Sequence, residues 1–154
     1  DLMASIPSYK VDKIRNGTVI DHIPHGKALK AIYLLGLDKE TDRVITVGIN
    51  LESKKFGYKD VIKIENKELS SEEVNKIALL ATTATLNIIE DYEIVKKMKV
   101  TVPKVITGII RCSNPRCITN HEEVKTRFYL KNEEPLKIQC HYCERSMESE
   151  EALP

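Results

Sequence analysis

The sequence predicts an α+β chain in two unequal parts, on the strength of three observations. Over residues 9–97 the apolar residues switch between a period of two and a period of 3.6, in the order β-α-β-β-α-β. All four cysteines fall in the last third, as Cys112 and Cys117 followed by Cys140 and Cys143. Between these regions the lysine-rich "KKMKVTVPKVITG" breaks the pattern, and Pro103 removes a backbone donor and restricts its predecessor. A linker over residues 100–103 therefore divides the chain into residues 1–100 and residues 101–154.

Each element has its own reason. "GTVIDHI" is β-branched and follows the turn-forming Gly17, which predicts a strand. Residues 26–37 carry Ala28, Leu29, Ile32 and Leu35 on one helical stripe. "DRVITVGINL" has high β propensity, "ESKKFG" reads as a turn, and "YKDVIKIEN" returns as a strand. In that strand Val61 and Ile62 point to opposite faces, so both faces are at least partly covered. Ser70 followed by Glu73 is a capping box that starts a helix with Val74, Ile77, Ala78 and Ala81 on its buried side. "TLNIIEDYEIV" reads as the last strand. The order is that of a ferredoxin-like βαββαβ domain, with two helices on one face of an antiparallel sheet and the other face open. "YKVDKI" is a candidate edge strand, and the segment before Tyr9 has no clear pattern.

Composition removes several function classes. The net charge is +1, without the basic excess of a nucleic-acid binder. No apolar run reaches the roughly 20 residues that cross a bilayer. "DLMASIPSYK" lacks the apolar core of a secretory signal, so a cytoplasmic location is expected. There is no dinucleotide fingerprint, P-loop, zinc-protease motif or nucleophile elbow.

The cysteines form a C-x4-C pair and a C-x2-C pair. Two such loops point four thiolates at one centre, the pattern of a structural zinc site with no open coordination position. Two disulfides or a redox C-x2-C are the alternatives; a reducing compartment disfavours the first, and the pairing of motifs disfavours the second. A segment of this size rarely buries enough apolar surface to fold alone, and metal binding supplies the missing free energy. The insert holds two alternating runs around Asn132, Glu133, Glu134 and Pro135, which predicts a small β zinc-binding domain. His121 and His141 lie near the cysteines and are read as loop residues rather than ligands.

Other charged residues allow two readings. Asp21 and His22 are adjacent on a strand, so their side chains point to opposite faces and do not make a catalytic dyad. Lys59 and Lys63 share a strand face, and Lys96 and Lys97 end the last strand. Such lysines solubilise a sheet edge, or together with His22 they hold a polyphosphate; charge alone leaves both open. A zinc-ribbon RNA binder is a competing class, but it would display stacking aromatics on its sheet, and this chain has few.

"GTVIDHIP", "KDVIKIEN", the helix from Ser70, "ATLNIIEDYEIV" and the C-x4-C…C-x2-C module closely resemble the regulatory chain of aspartate carbamoyltransferase, from about Tyr9 to Glu144. The resemblance implies a non-catalytic subunit of pyrimidine biosynthesis. It implies a homodimer that joins trimers of catalytic chains and binds nucleotides such as CTP, UTP or ATP. By the same resemblance, Val11, Asp12, Lys13 and Ile14 surround the base; Asp12 and Lys13 stand where the family commonly has Glu and Ala. Asp21 accepts from the ribose, His22 lies near the phosphates, Lys63 meets base and ribose, and Lys59 assists with phosphate. Thr85, Asn87, Ile89, Tyr92 and Ile94 line the pocket, with Lys97 on the phosphates. Cys112, Cys117, Cys140 and Cys143 hold one zinc per chain, and Asn114, Arg116 and Glu144 contact the catalytic chain, Arg116 standing where the family often has Asn.

Overall fold

The computed structural model describes residues 13–154. Its first sheet contains β1 (Gly17–Pro24), β2 (Ile45–Ser53), β3 (Gly57–Glu65), β4 (Thr85–Glu90) and β5 (Glu93–Lys99), in the spatial order β2-β3-β1-β4-β5. Helices α1 (Ala28–Leu34) and α2 (Ser71–Leu80) cross between strands. All strand pairs are antiparallel. Strand alternation separates two apolar groups. Ile20, Ile62, Ile64 and Leu86 are fully buried with Ala31, Ile77 and Ala78 of the helices. On the opposite face Ile14, Val19, Val61 and Ile89, with Leu51, form a smaller cluster. Gly17 opens β1 at φ +141°, where a Cβ would lie 2.1 Å from the Ile64 carbonyl oxygen, so only glycine lets β1 pair that closely with β3.

The capping box is present: the Ser70 hydroxyl accepts from the Glu73 amide, and the Glu73 carboxylate accepts from the Ser70 amide. Three expectations are corrected. First, α1 is shorter than residues 26–37, because Gly36 enters the left-handed region at φ 68° and ends it. Its buried face is Ala28, Ala31 and Leu34, and Leu29 is 65% exposed. Second, residues 85–95 are not one strand but the start of a hairpin, β4–β5. Asp91 (φ 47°) and Tyr92 (φ 68°) both have positive φ, the requirement of a type I′ turn. The turn is held from outside: the Tyr92 amide donates to the Arg15 carbonyl and the Asp91 amide to the Asn16 side chain. The extra strand makes the order βαββαββ, and Lys96 and Lys97 lie within β5 rather than at the end of a shared strand. Third, β1 bulges against β3 between Ile20 and Ile23, with His22 at φ 57°.

The second sheet has the order β6-β7-β8-β9, from Val105–Thr107, Arg127–Glu133, Leu136–Cys140 and Ser146–Glu148. The peptide bond between Glu134 and Pro135 in the β7–β8 turn is cis. A short helix α3 (Ser149–Ala152) closes the chain. Residues joining the sheets are packed, not free: Val100 is buried and its amide donates to the Ala84 carbonyl. Ala152 and Leu153 belong to the same apolar cluster as Leu79 and Leu80 of α2. The Ser149 hydroxyl donates to the Leu79 carbonyl at 2.7 Å, and Lys27 pairs with Glu150.

Candidate functional site: an open sheet face and a four-thiolate centre

The face of the first sheet away from the helices carries a cavity of about 700 Å³, in the range of small-ligand sites. Its floor is apolar, from Ile14, Val19, Val61, Ile89 and Leu51. Register explains which polar side chains join them. Val19 sits opposite Lys63 on β3 and opposite Asn87 on β4, and Asn87 sits opposite Lys97 on β5. Lys13, Asp21, Lys59, Tyr92 and Ile94 also line the cavity. Tyr92 owes its place to the β4–β5 turn, which sequence periodicity had concealed. Val11 and Asp12 lie outside the described residues. Leu51, Glu52 and Glu93 line the cavity too; their alternation and charge suit any exposed strand, so nothing in the sequence marked them.

The β1 bulge builds the polar end. The expectation that Asp21 and His22 point to opposite faces fails because the left-handed turn at His22 interrupts alternation. The Asp21 carboxylate accepts from the His22 amide at 2.6 Å and from Lys59 at 2.8 Å. The His22 ring instead bonds the Thr85 hydroxyl at 3.0 Å, so no carboxylate–imidazole dyad forms. Thr83 donates to the His22 carbonyl and fixes the bulge from the other side. Burial pushes the Asp21 carboxyl up, but the hydrogen bonds from Lys59 and the His22 amide outweigh it and hold the pKa below its ordinary value. Burial lowers the His22 pKa; Asp21 opposes this, and Lys59, Lys55 and Lys97 reinforce it. Of the expected site residues, His22, Thr85 and Lys97 do not line the cavity itself; His22 follows the lining residue Asp21, and Lys59, Lys55 and Lys97 are close enough to act on its charge.

Behind the bulge is a residue the sequence did not reveal. Asp60 is fully buried; its Oδ2 accepts from the Gly26 and Ala28 amides and its Oδ1 from the Asn50 amide. Three backbone donors satisfy this carboxylate, and it ties the start of α1 to β2 and β3. One acceptor in the cavity wall is left over. Among the described residues, Asn87 Oδ1 is buried without a hydrogen-bond partner.

In the second sheet the four cysteines converge. Their sulfurs all lie within 4.8 Å of one another, with Cys112–Cys143 and Cys117–Cys140 each at 3.7 Å. A disulfide needs about 2.05 Å, so the thiols are free. Metal–sulfur bonds of about 2.3 Å in a tetrahedron give sulfur–sulfur edges of about 3.8 Å, so the cluster fits a four-thiolate ion. Burial pushes the Cys112 thiol up to about 12. At Cys143 burial acts the same way, but hydrogen bonds from the Arg145 amide and the Asn114 side chain prevail and bring it to about 7. His121 bonds the Pro115 carbonyl and His141 bonds the Tyr129 hydroxyl; neither joins the thiol group.

The loops between thiols are fixed by side chains. Asn120 donates to the Cys112 and Asn114 carbonyls, and Asn114 Oδ1 accepts from the Arg116 amide. Arg116 and Glu144 are exposed beside the two cysteine pairs, and Asn114 is half-buried between them.

Comparison with known families agrees with both halves. Residues 9–101 match the allosteric domain of the aspartate carbamoyltransferase regulatory chain, and residues 104–153 match its metal-binding domain. The aspartate carbamoyltransferase regulatory chain of Pyrococcus horikoshii is 57% identical over 149 residues, covering 96% of this chain and 98% of its own. That of Pyrococcus abyssi is 59% identical over 145 residues, with 94% and 95% covered. That of Sulfolobus acidocaldarius is 49% identical over 144 residues, with 93% and 88% covered. With an allosteric domain, a metal-binding domain and full-length relatives of one name, the chain belongs to the aspartate carbamoyltransferase regulatory chain family, a non-catalytic subunit of that enzyme.

Proposed function

We propose that the cavity on the first sheet binds a nucleotide effector, CTP, UTP or ATP, and that the second sheet is a zinc module that docks catalytic trimers. The observation that carries the nucleotide reading is the polarity of the cavity: an apolar floor in one part, and in the other Lys59 in the lining, with His22 next to the lining residue Asp21 and Lys97 opposite the lining residue Asn87. A base suits the first and a polyphosphate the second, through charge-assisted hydrogen bonds. Lys63 and Asn87, each opposite Val19 of the floor, are the proposed partners of the ribose and the base edge. A base amino group would satisfy the unpaired Asn87 oxygen, and an unmet buried acceptor is costly. Lys13, Ile14, Asp21, Lys59, Thr85, Ile89, Tyr92 and Ile94 complete the proposed site, together with Val11 and Asp12.

The thiols of Cys112, Cys117, Cys140 and Cys143 would hold one zinc ion, which when bound cross-links the loops and offers no position to water. Asn114, Arg116 and Glu144 flank that centre and are the proposed contacts to the catalytic chain. Candidate residues for homodimerisation are Leu29 and Tyr33 of α1 and Val44 just before the edge strand β2, each at least 58% exposed. The assembly serves pyrimidine biosynthesis in the cytoplasm. The test combines elemental analysis with CTP calorimetry on one purified sample. One zinc per chain and saturable CTP binding support both halves. Zinc without CTP binding removes the allosteric site and leaves only the docking role.

A further inference from the structure

The turn between β2 and β3 carries a lysine that neither the family resemblance nor the cavity lining assigns. Residues 54–56 fold toward the bulge of β1. The Phe56 ring packs edge-on against the His22 ring, with centroids 5.9 Å apart and planes at 67°. The Lys55 ammonium lies over the same Phe56 ring, 5.3 Å from its centroid. Lys55, Phe56 and His22 thus form a contiguous tier beside the β1 bulge, and Ser53 fixes the turn by accepting from the Phe56 amide. This tier adjoins the cavity through His22, whose amide donates to the carboxylate of the lining residue Asp21. Among the described residues Lys59 is neutralised by Asp21, while neither Lys55 nor Lys97 has a carboxylate partner. Two cations without a carboxylate partner can each meet a different phosphoryl group of a polyphosphate, which a monophosphate does not offer.

We propose that Lys55 is a specificity residue that holds the terminal phosphate of a nucleoside triphosphate, so that the site selects triphosphates over monophosphates. The inference rests on the nucleotide reading above and adds to it which residue counts the phosphates. Phe56 orients Lys55 through the cation–π contact and shields the His22 ring. The turn is exposed, so the lysine is held by that contact rather than by packing.

The experiment titrates CTP, CDP and CMP into the purified full chain by calorimetry at fixed pH and salt. The parent is compared with Lys55→Ala, Lys55→Arg and, as a control for loss of one nearby exposed charge, Lys54→Ala. Loss of a charge-assisted hydrogen bond costs about tenfold in affinity or more. Lys55→Ala is expected to weaken CTP by about that factor and leave CMP within about twofold. Lys55→Arg should retain the preference, and Lys54→Ala should weaken CTP far less. Equal weakening of CTP and CMP, or equal effects of Lys54→Ala and Lys55→Ala, overturns the proposal in favour of a general field. Unchanged CTP affinity in Lys55→Ala overturns it outright while the nucleotide site stands. A parent chain that binds none of the three overturns the nucleotide reading and this inference with it.

Discussion

Lys59 pairs with Asp21 at 2.8 Å, and the same carboxylate takes the His22 amide, so one short segment of β1 sets both the charge and the shape of the polar part of the cavity wall. Proton linkage follows from that arrangement. The folded-state pKa of His22 is depressed, so the unfolded chain binds more protons, and the stability His22 contributes is lost as pH falls below its ordinary 6.5. A bound polyphosphate reverses the local field and favours the imidazolium. CTP binding should therefore take up a fraction of a proton and tighten as pH falls from about 8 to about 6. Calorimetry in two buffers of different ionisation enthalpy reads that uptake, and His22→Gln should abolish most of it. Lys97 has a simpler role: Lys97→Ala should weaken CTP about tenfold or more, with metal content and assembly unchanged. Unaltered CTP affinity would remove Lys97 from the site. Only part of this was legible in the sequence. Lysines spaced by four residues on a strand announce a shared face, but a bulge is a backbone event, and the sequence "IDHIP" reads as regular alternation. Asp60 was hidden for a related reason: an aspartate inside a strand shows its value only when three amides from other elements are seen to converge on it.

Among the elements, those with local signals were readable and those set by distant contacts were not. The α2 start is local: Ser70 and Glu73 satisfy two orphan amides within one turn. Ser70→Ala is expected to cost about 1 kcal/mol, checked by chemical denaturation. The β1, β2 and β3 strands were readable from β-branched alternation and a glycine-bearing turn. The β4–β5 reversal was not, because "EDYE" contains no glycine and Tyr rarely adopts positive φ. Tertiary hydrogen bonds from residues 15 and 16 hold it there. Tyr92→Gly would relieve the strain while deleting a cavity wall. The variant should be at least as stable as the parent in denaturant yet bind CTP more weakly. Loss of both stability and binding would contradict the strained-turn account.

At the scale of the whole molecule, one apolar cluster continues from the helices of the first sheet into the second. Polar contacts reinforce it: Ser149 on the Leu79 carbonyl, and Lys27 reaching both Glu150 and the Leu80 carbonyl. The His22 bulge lies one short turn from Lys27, and Thr83 joins it to the loop after α2, so the cavity and the second sheet share these anchors. Periodicity located both halves, while the packing of one against the other depends on side chains far apart in sequence. Among the described residues, Ile106, Ile110, Phe128, Ile138 and Met147, with Ala152 and Leu153, build the buried interior around the second sheet beside the thiols. So small a core would gain much of its stability from an ion held by the thiols, since such binding is worth on the order of 10 kcal/mol in small modules. Cys117→Ser, or a strong chelator, should therefore melt the second sheet and abolish docking to catalytic trimers, read by circular dichroism and sedimentation. Under the proposed function, nucleotide occupancy on the first sheet changes the activity of catalytic chains held by the second. The most direct test reconstitutes the zinc-loaded chain with catalytic trimers and follows carbamoyl-aspartate formation as CTP is varied. A CTP-dependent change in aspartate saturation that free trimers lack is the predicted result. Saturable CTP binding to the assembled complex with no change in rate at any aspartate concentration would contradict it.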